Sequence, residues 1–101
     1  MRNRTISILG QETQVIYSKE GPDDGSGRHL VGLYDHVNRI IYVKDDGNKR
    51  ETELTLIHEC VHAVLMRVGV NQSVPWQTIE TICESLSNYI YENHGKVKSR
   101  K

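Results

Sequence analysis

The chain is organised around His58-Glu59-Cys60-Val61-His62. Residues four apart stand on one face of an α-helix, about 6 Å apart along its axis, so the two imidazoles can converge on one cation. Nitrogen ligands in this arrangement suit tetrahedral zinc. Glu59 is rotated away from that line, beside the position of a water on the metal, which is where a general base is needed. We therefore expect this segment to carry a metal-dependent hydrolytic site.

The apolar residues around this motif follow helical periodicity. They recur at intervals of three and four and form one buried stripe: Leu54, Ile57, Val61, Val64, Leu65 and Val68. We predict a helix from about residue 51 or 52 to 67 or 68, with Thr52 as its N-cap and Gly69 as its stop. Both histidines fall on a flank of the stripe, where metal and water can reach them.

A second helix is predicted to follow a short linker. Ser73 is its expected cap, Pro75 suits its first turn, and the pattern continues to about Tyr91 or Asn93. The apolar stripe of this second helix consists of Ile79, Ile82, Cys83, Leu86 and Ile90.

Two pairs of short strands precede the helices. The strand patterns lie at residues 5–9, 13–17, 29–34 and 39–44, with a turn at Gly10-Gln11 and loop composition over residues 19–28. Strands first and helices last are typical of an α+β domain. We therefore predict a small antiparallel sheet packed against the two C-terminal helices.

Composition indicates one domain without a strong electrostatic bias. The 101 residues suffice for a single core, and 13 basic residues balance 13 acidic ones, so we expect neither a nucleic-acid nor a membrane partner. The domain is predicted to span residues 1–94, and residues 95–101 to form a basic, disordered tail. Cys60 and Cys83 are too few for a disulfide framework, which favours reduced thiols and a cytoplasmic location.

Two histidines do not complete a catalytic zinc site, which uses three protein ligands and leaves one position to water. A third histidine six residues after His62 is excluded, because that position is Val68. A downstream aspartate ligand is excluded as well, because no aspartate follows His62. The remaining downstream candidates are Glu80, Glu84, Glu92 and His94.

Helical phase orders these candidates. Measured from Ile79, Glu80 lies about 100° around the second helix and Glu84 about 140°, so Glu80 is nearer the buried edge. Glu92 and His94 lie near the end of the helix. We predict Glu80 as the third ligand. Glu84 is held in reserve, either as the ligand itself or as a hydrogen-bond partner of a ligand imidazole.

These segments resemble the small gluzincin-like metallopeptidases, the minimal zincins of phage and bacterial genomes related to the ImmA/IrrE and SprT-like groups. Residues 55–65 are similar to their active-site helix, and residues 79–86 to their second helix, with Glu80 at the glutamate ligand. Residues 32–43 are similar to the preceding strand pair, and the resemblance covers roughly residues 29–94. It implies a zincin-like fold and a zinc metallopeptidase that acts on peptide or protein substrates.

The implied chemistry is hydrolysis of a peptide bond, with Zn²⁺ held by His58, His62 and Glu80. Glu59 is expected to take a proton from the metal-activated water and deliver it to the leaving amine. An extended substrate is expected to pair with residues 39–44 as an edge strand. The donor to the developing oxyanion stays open among Tyr34, His36, Tyr42, Tyr89 and Tyr91.

A non-catalytic, zinc-stabilised binding module is the alternative, because small domains also use metals for stability alone. Such a site closes its fourth position with Cys or His, and Cys83 lies one helical turn from Glu80. The place of Cys83 in the apolar stripe favours a packed thiol instead. Glu59 favours the enzyme, since a purely structural site has no use for it.

Overall fold

The computed structural model describes residues 3–95 and residue 97. Its elements, in chain order, are β1 (Arg4–Ile8), β2 (Gln11–Ser18), β3 (Gly32–Asp35), β4 (Ile40–Lys44), α1 (Lys49–Arg67), a short 3₁₀ helix (Val70–Gln72) and α2 (Trp76–His94). The four strands form one sheet, and the two helices follow it in sequence. The predicted α+β class is therefore confirmed.

The sheet is mixed, so the prediction of an antiparallel sheet is wrong at its centre. The strand order is β1-β2-β4-β3, in which β2 and β4 run parallel while the two outer pairs are antiparallel. The reason is burial. In β4, Ile41 and Val43 are fully buried and require a central place, whereas all four residues of β3 are only half-buried, which suits an edge.

This strand order also overturns the expected substrate-pairing edge. Residues 39–44 include β4, which is covered on both sides by β2 and β3. The free edges of the sheet among the described residues are those of β1 and β3. Any peptide that extends the sheet must therefore pair with one of these two strands.

Helix α1 begins earlier than predicted because Asn48, not Thr52, is its N-cap. The Asn48 side chain accepts a hydrogen bond from the backbone N–H of Glu51 at 3.1 Å. Thr52 instead lies inside the first turn, where its hydroxyl donates to the Asn48 carbonyl at 2.9 Å. Asparagine caps a helix as well as threonine does, and it directly follows the turn after β4. The predicted stop is confirmed at Gly69, which has φ +84°.

The second helix also starts differently from the prediction. Pro75 is the N-cap of α2, and no side chain caps the helix, so Ser73 does not have the predicted role. Ser73 instead ends the preceding 3₁₀ helix, where its N–H donates to the Val70 carbonyl at 3.0 Å. The linker thus contains a 3₁₀ helix of its own, and Ser73, which was predicted to cap α2, is the C-cap of that 3₁₀ helix.

Helix α1 forms the middle layer, with the sheet on one side and α2 on the other. Towards the sheet, the buried apolar cluster consists of Ile6, Ile8, Val15, Ile41, Val43, Leu56 and Ala63, with the half-buried Cys60 packed against it. Towards α2, the buried cluster consists of Ile57, Val61, Ile79 and Cys83. Apolar contacts cover two sides of α1, so His58, Glu59 and His62 lie along a third side.

Two residues of the predicted apolar stripes are exposed. Val68 is 60 % exposed because it lies just past the end of α1, as its C-cap residue. Leu86 is 43 % exposed because α2 buries a narrower stripe than predicted, formed by Ile79, Cys83 and Ser87. These positions are spaced by four, so Ser87 takes the buried place that the apolar pattern gave to Leu86.

A buried carboxylate connects the first strand to the segment after α2. Glu53 on α1 is 2 % exposed, and its side chain accepts from the backbone N–H of Val97 at 2.8 Å. Arg4 on β1 lies 3.7 Å from Glu53 and donates to the Val97 carbonyl at 3.0 Å. Val97 belongs to the segment predicted as a tail, of which residues 96 and 98–101 lie outside the described residues.

None of the helices among residues 3–95 combines the length and the apolar character that crossing a membrane requires.

Replacing Arg4 by alanine is expected to destabilise the fold by about 3 kcal/mol, because the buried Glu53 carboxylate then has no compensating cation. Urea denaturation measures this loss. Arg28→Ala is the control, since Arg28 is 77 % exposed and pairs with Asp24 on the surface, where an ion pair contributes little. Equal midpoints for the two variants would contradict the structural role of the Arg4–Glu53 pair.

Candidate metal centre

The antiparallel packing of α1 and α2 brings His58, His62 and Glu80 together. His58 Nε2 lies 3.1 Å from one carboxylate oxygen of Glu80, and His62 Nε2 lies 3.2 Å from the other. The two imidazole centroids are 5.0 Å apart. The three predicted ligands therefore direct their donor atoms at one another across the seam between the helices.

Two of the three donor-atom separations suit a divalent cation. Two ligand atoms bound about 2.05 Å from a tetrahedral centre lie about 3.3 Å from each other. The observed nitrogen–oxygen separations of 3.1 and 3.2 Å are close to that value. Two imidazoles and one carboxylate are also the ligand types of catalytic zinc sites. Occupation of this site by a metal stays a prediction.

Glu84, the reserve ligand, contacts the other nitrogen of His58. Its carboxylate lies 3.4 Å from His58 Nδ1, a charge contact rather than a well-formed hydrogen bond. A carboxylate on that side favours the tautomer with a proton on Nδ1, which leaves the Nε2 lone pair available for a metal. Glu84 thus contacts one nitrogen of His58, whereas Glu80 faces both imidazoles.

Trp76 stacks on His62, a contact that the sequence analysis missed. The two ring centroids are 5.4 Å apart and the rings are nearly parallel, at 16°. Trp76 precedes Glu80 by four residues on α2, so the same spacing rule that linked the histidines would have placed it on the ligand face. Burial lowers the pKa of the His62 imidazole, against the opposing charge of Glu80, and so favours the neutral ring that a metal requires.

Glu59, the predicted general base, is 8 % exposed and lies in the same groove as the three predicted ligands. Burial, followed by the negative charge of Glu80, raises the pKa of the Glu59 carboxyl to about 7. A carboxyl with these neighbours accepts a proton far more readily than an exposed glutamate does. Among described residues, no cation is within ion-pair distance of Glu59 that would stabilise its charge.

Gly32 on β3 is the second residue that the sequence analysis missed. A β-carbon there would lie 2.6 Å from Thr55 Cγ2 and 2.9 Å from a carboxylate oxygen of Glu59. The edge strand therefore passes directly against the predicted base, at a distance that only glycine allows. An isolated glycine inside a strand pattern signals such a close approach of backbone, and that signal was present in the sequence.

Cys83 is a competing donor near the same histidines. Its sulfur and one nitrogen each of His58 and His62 all lie within 4.8 Å of one another. The side chain is fully buried, and burial is the main cause that raises the pKa of the thiol to about 12. Glu80 is the stronger candidate for third ligand, because its two oxygens contact both Nε2 atoms while Cys83 is packed among apolar side chains.

The site opens into a groove of about 780 Å³, a size typical of ligand-binding clefts. It is lined by residues of α1, α2 and β3, among them both histidines and Glu59. Of the five candidate donors to an oxyanion, Tyr34 alone lines the groove. Tyr34 also bonds through its hydroxyl to His36 Nδ1 at 3.1 Å. The structure thus favours Tyr34 among the five oxyanion donors that the sequence left open.

Comparison of the chain with models of protein families, with characterised proteins and with solved structures found no match. The resemblance to the minimal zincins therefore stays a prediction, and the geometry of the site carries the functional argument.

The Glu80→Gln variant is expected to bind Zn²⁺ at least 100-fold more weakly than the natural chain, because an amide oxygen is a poor substitute for a ligating carboxylate. Glu84→Gln is expected to lose about tenfold, as for a partner that only orients a ligand. Chelator competition measures both affinities, and the emission of Trp76, the one tryptophan in the chain, reports occupancy beside His62. A greater loss in Cys83→Ser than in Glu80→Gln would make the thiol the third ligand.

Gly32→Ala is expected to destabilise the fold by about 1–3 kcal/mol, because the added methyl group overlaps Thr55 and Glu59. Thermal or urea unfolding measures the loss. Adding Thr55→Ser removes the closer of the two clashes and should recover part of the stability. If Gly32→Ala is as stable as the natural chain, β3 does not lie against Glu59 as described.

Proposed function

We propose that this protein is a zinc-dependent peptide hydrolase. The observation that carries the proposal is the convergence of His58, His62 and Glu80 beside the buried Glu59. Two imidazoles, one carboxylate and a separate base are the parts that metal-assisted hydrolysis needs, and they lie in one groove. A chance histidine pair on an amphipathic helix gives no reason for a carboxylate to face both rings.

Each residue has a distinct role in this proposal. His58, His62 and Glu80 hold the cation, and Glu84 keeps the His58 ring in the orientation that presents Nε2. When bound, the cation would act as a Lewis acid and lower the pKa of the water that it holds. Glu59 accepts the proton from that water and then donates it to the nitrogen of the leaving amine.

The exposed edge of β3 supports a peptide as the substrate. The Val31 carbonyl accepts from the Lys44 N–H at 2.8 Å, so by strand alternation the backbone groups of Val31 and Leu33 face β4. Those of Gly32 and Tyr34 then point to the free edge. An extended peptide can add to this edge as a further strand, and at Gly32 it would pass next to Glu59.

The compartment proposed with this function is the cytoplasm. Cys60 and Cys83 are both free thiols. Cys60 lies on α1 and packs against the apolar cluster that faces the sheet. Cys83 lies on α2 and belongs to the apolar cluster between the two helices. Reduced, packed cysteines are typical of proteins in a reducing environment.

A zinc-stabilised module without activity is the second candidate, favoured by the proximity of Cys83 to both histidines. In that case the thiolate would close the position that a catalytic site leaves to water. The same fold would then depend on the metal for stability, and Glu59 would be dispensable. The two candidates therefore differ in which side chain the protein needs, Cys83 or Glu59.

Glu59→Gln is expected to abolish peptide cleavage while leaving zinc content and fold unchanged, because the amide cannot accept the proton from the water. The measurement is mass spectrometry of a peptide mixture from a digested proteome, incubated with zinc-loaded protein. Glu20→Gln is the control, since Glu20 is 81 % exposed on a loop outside the groove. Absence of cleavage by the natural chain, together with loss of zinc and fold in Cys83→Ser, would support the structural module instead, whereas cleavage by Glu59→Gln at the natural rate would show that Glu59 is not the base.

A further inference from the structure

The groove has two chemically different ends on either side of the predicted metal ligands. The helices run antiparallel, so Trp76 lies beside His62, Glu84 beside His58, and the ring of Tyr91 beneath Arg50. Beyond His62, the end named here the Trp76 end is lined by Leu65, Met66, Asn71 and Trp76. Beyond His58, the end named here the Arg50 end is lined by Arg50, Glu51, Leu54, Ser87 and Asn88.

Apart from the amide of Asn71, the side chains named for the Trp76 end are apolar. Trp76 itself is 63 % exposed, although its ring is held in place by the stack on His62. A tryptophan held rigid at the rim of a groove provides a large contact surface with little loss of conformational freedom on binding. Leu65 and Met66 are half-buried and line the same groove as Trp76.

The Arg50 end offers the opposite chemistry. Arg50 and Glu51 bring two charges there, and Asn88 brings a half-buried amide, whereas the Ser87 hydroxyl is buried and donates to the Cys83 carbonyl. An apolar side chain placed at this end would remove water from the two charged groups without replacing their hydrogen bonds. The two ends therefore differ in the kind of side chain that each could accept.

On the basis of the proposed function, we propose that the Trp76 end binds a large apolar side chain of the substrate, such as leucine, methionine or phenylalanine. The indole centroid lies 5.4 Å from the His62 ring. Two residues of an extended peptide span about 6.6 Å. The recognised side chain therefore belongs to a residue directly adjoining the bond that is cleaved, and Trp76 is the residue that determines this specificity.

The test compares synthetic peptides that differ only in one residue next to the cleaved bond, leucine or phenylalanine against glycine. The natural chain is expected to prefer the large apolar residue at least tenfold in kcat/KM, since filling an apolar pocket discriminates by about that much. Trp76→Ala should reduce the ratio to near one, and Trp76→Phe should retain most of it. A ratio is used because partial loss of zinc lowers both rates equally and leaves the ratio unchanged.

Leu86→Ala is the matched control, because Leu86 is an exposed apolar residue of the same helix that does not line the groove. It should keep the natural ratio. A preference that survives in Trp76→Ala would overturn the inference, even if every peptide is cleaved.

Binding without cleavage separates this inference from the proposed function. Zinc-loaded Glu59→Gln is titrated with the same peptides in a calorimeter, with and without Trp76→Ala. Tighter binding of the leucine or phenylalanine peptide that is lost with Trp76→Ala supports the inference, even if the natural chain cleaves nothing and the function fails. Equal affinity for both peptides in zinc-loaded Glu59→Gln counts against the inference, whether or not the natural chain cleaves them.

Discussion

The packing of α2 on α1 is the contact on which the site depends. Ile57 and Val61 of α1 meet Ile79 and Cys83 of α2, and all four are buried. The short connection over residues 68–75 makes the two helices antiparallel, and these four residues set their axial register. Glu80 adjoins Ile79 in sequence, so the register that buries Ile79 also carries the Glu80 carboxylate to both imidazoles. The apolar contacts between α1 and α2 thus determine where the Glu80 carboxylate lies relative to His58 and His62.

The two buried carboxylates on α1, Glu53 and Glu59, have opposite electrostatic surroundings. Glu53 is compensated by the nearby Arg4 and by the N–H of Val97. Glu59 instead faces the like charge of Glu80, and burial with that charge raises its pKa to about 7. A carboxylate that is buried beside a like charge is costly to the fold, and such costs concentrate at functional sites. The same helix therefore holds one buried carboxylate with a compensating cation and one that lies beside a like charge.

The carboxylate and the thiol that lie within reach of the histidines also differ in what they allow. Glu80 is partly exposed and leaves the groove open, whereas Cys83 is enclosed by apolar side chains and would bind only from within the core. Hydrolysis requires a metal with one coordination position open to water, whereas a purely structural metal has all its positions filled by the protein. The groove in front of the ligands, with the free edge of β3 as one wall, agrees with the open arrangement.

The sequence by itself determined the local features of this protein. Helical periodicity is a short-range property, so it located α1 and α2, the stop at Gly69, the i, i+4 histidine pair and the preference for Glu80 over Glu84. Only the tertiary structure decided which strands are neighbours, because the central place of β4 depends on burial of Ile41 and Val43 against residues distant in the chain. The approach of Gly32 to Glu59 and the stack of Trp76 on His62 were decided in the same way. Such contacts join elements far apart in sequence, and periodicity along one element contains no information about its partners.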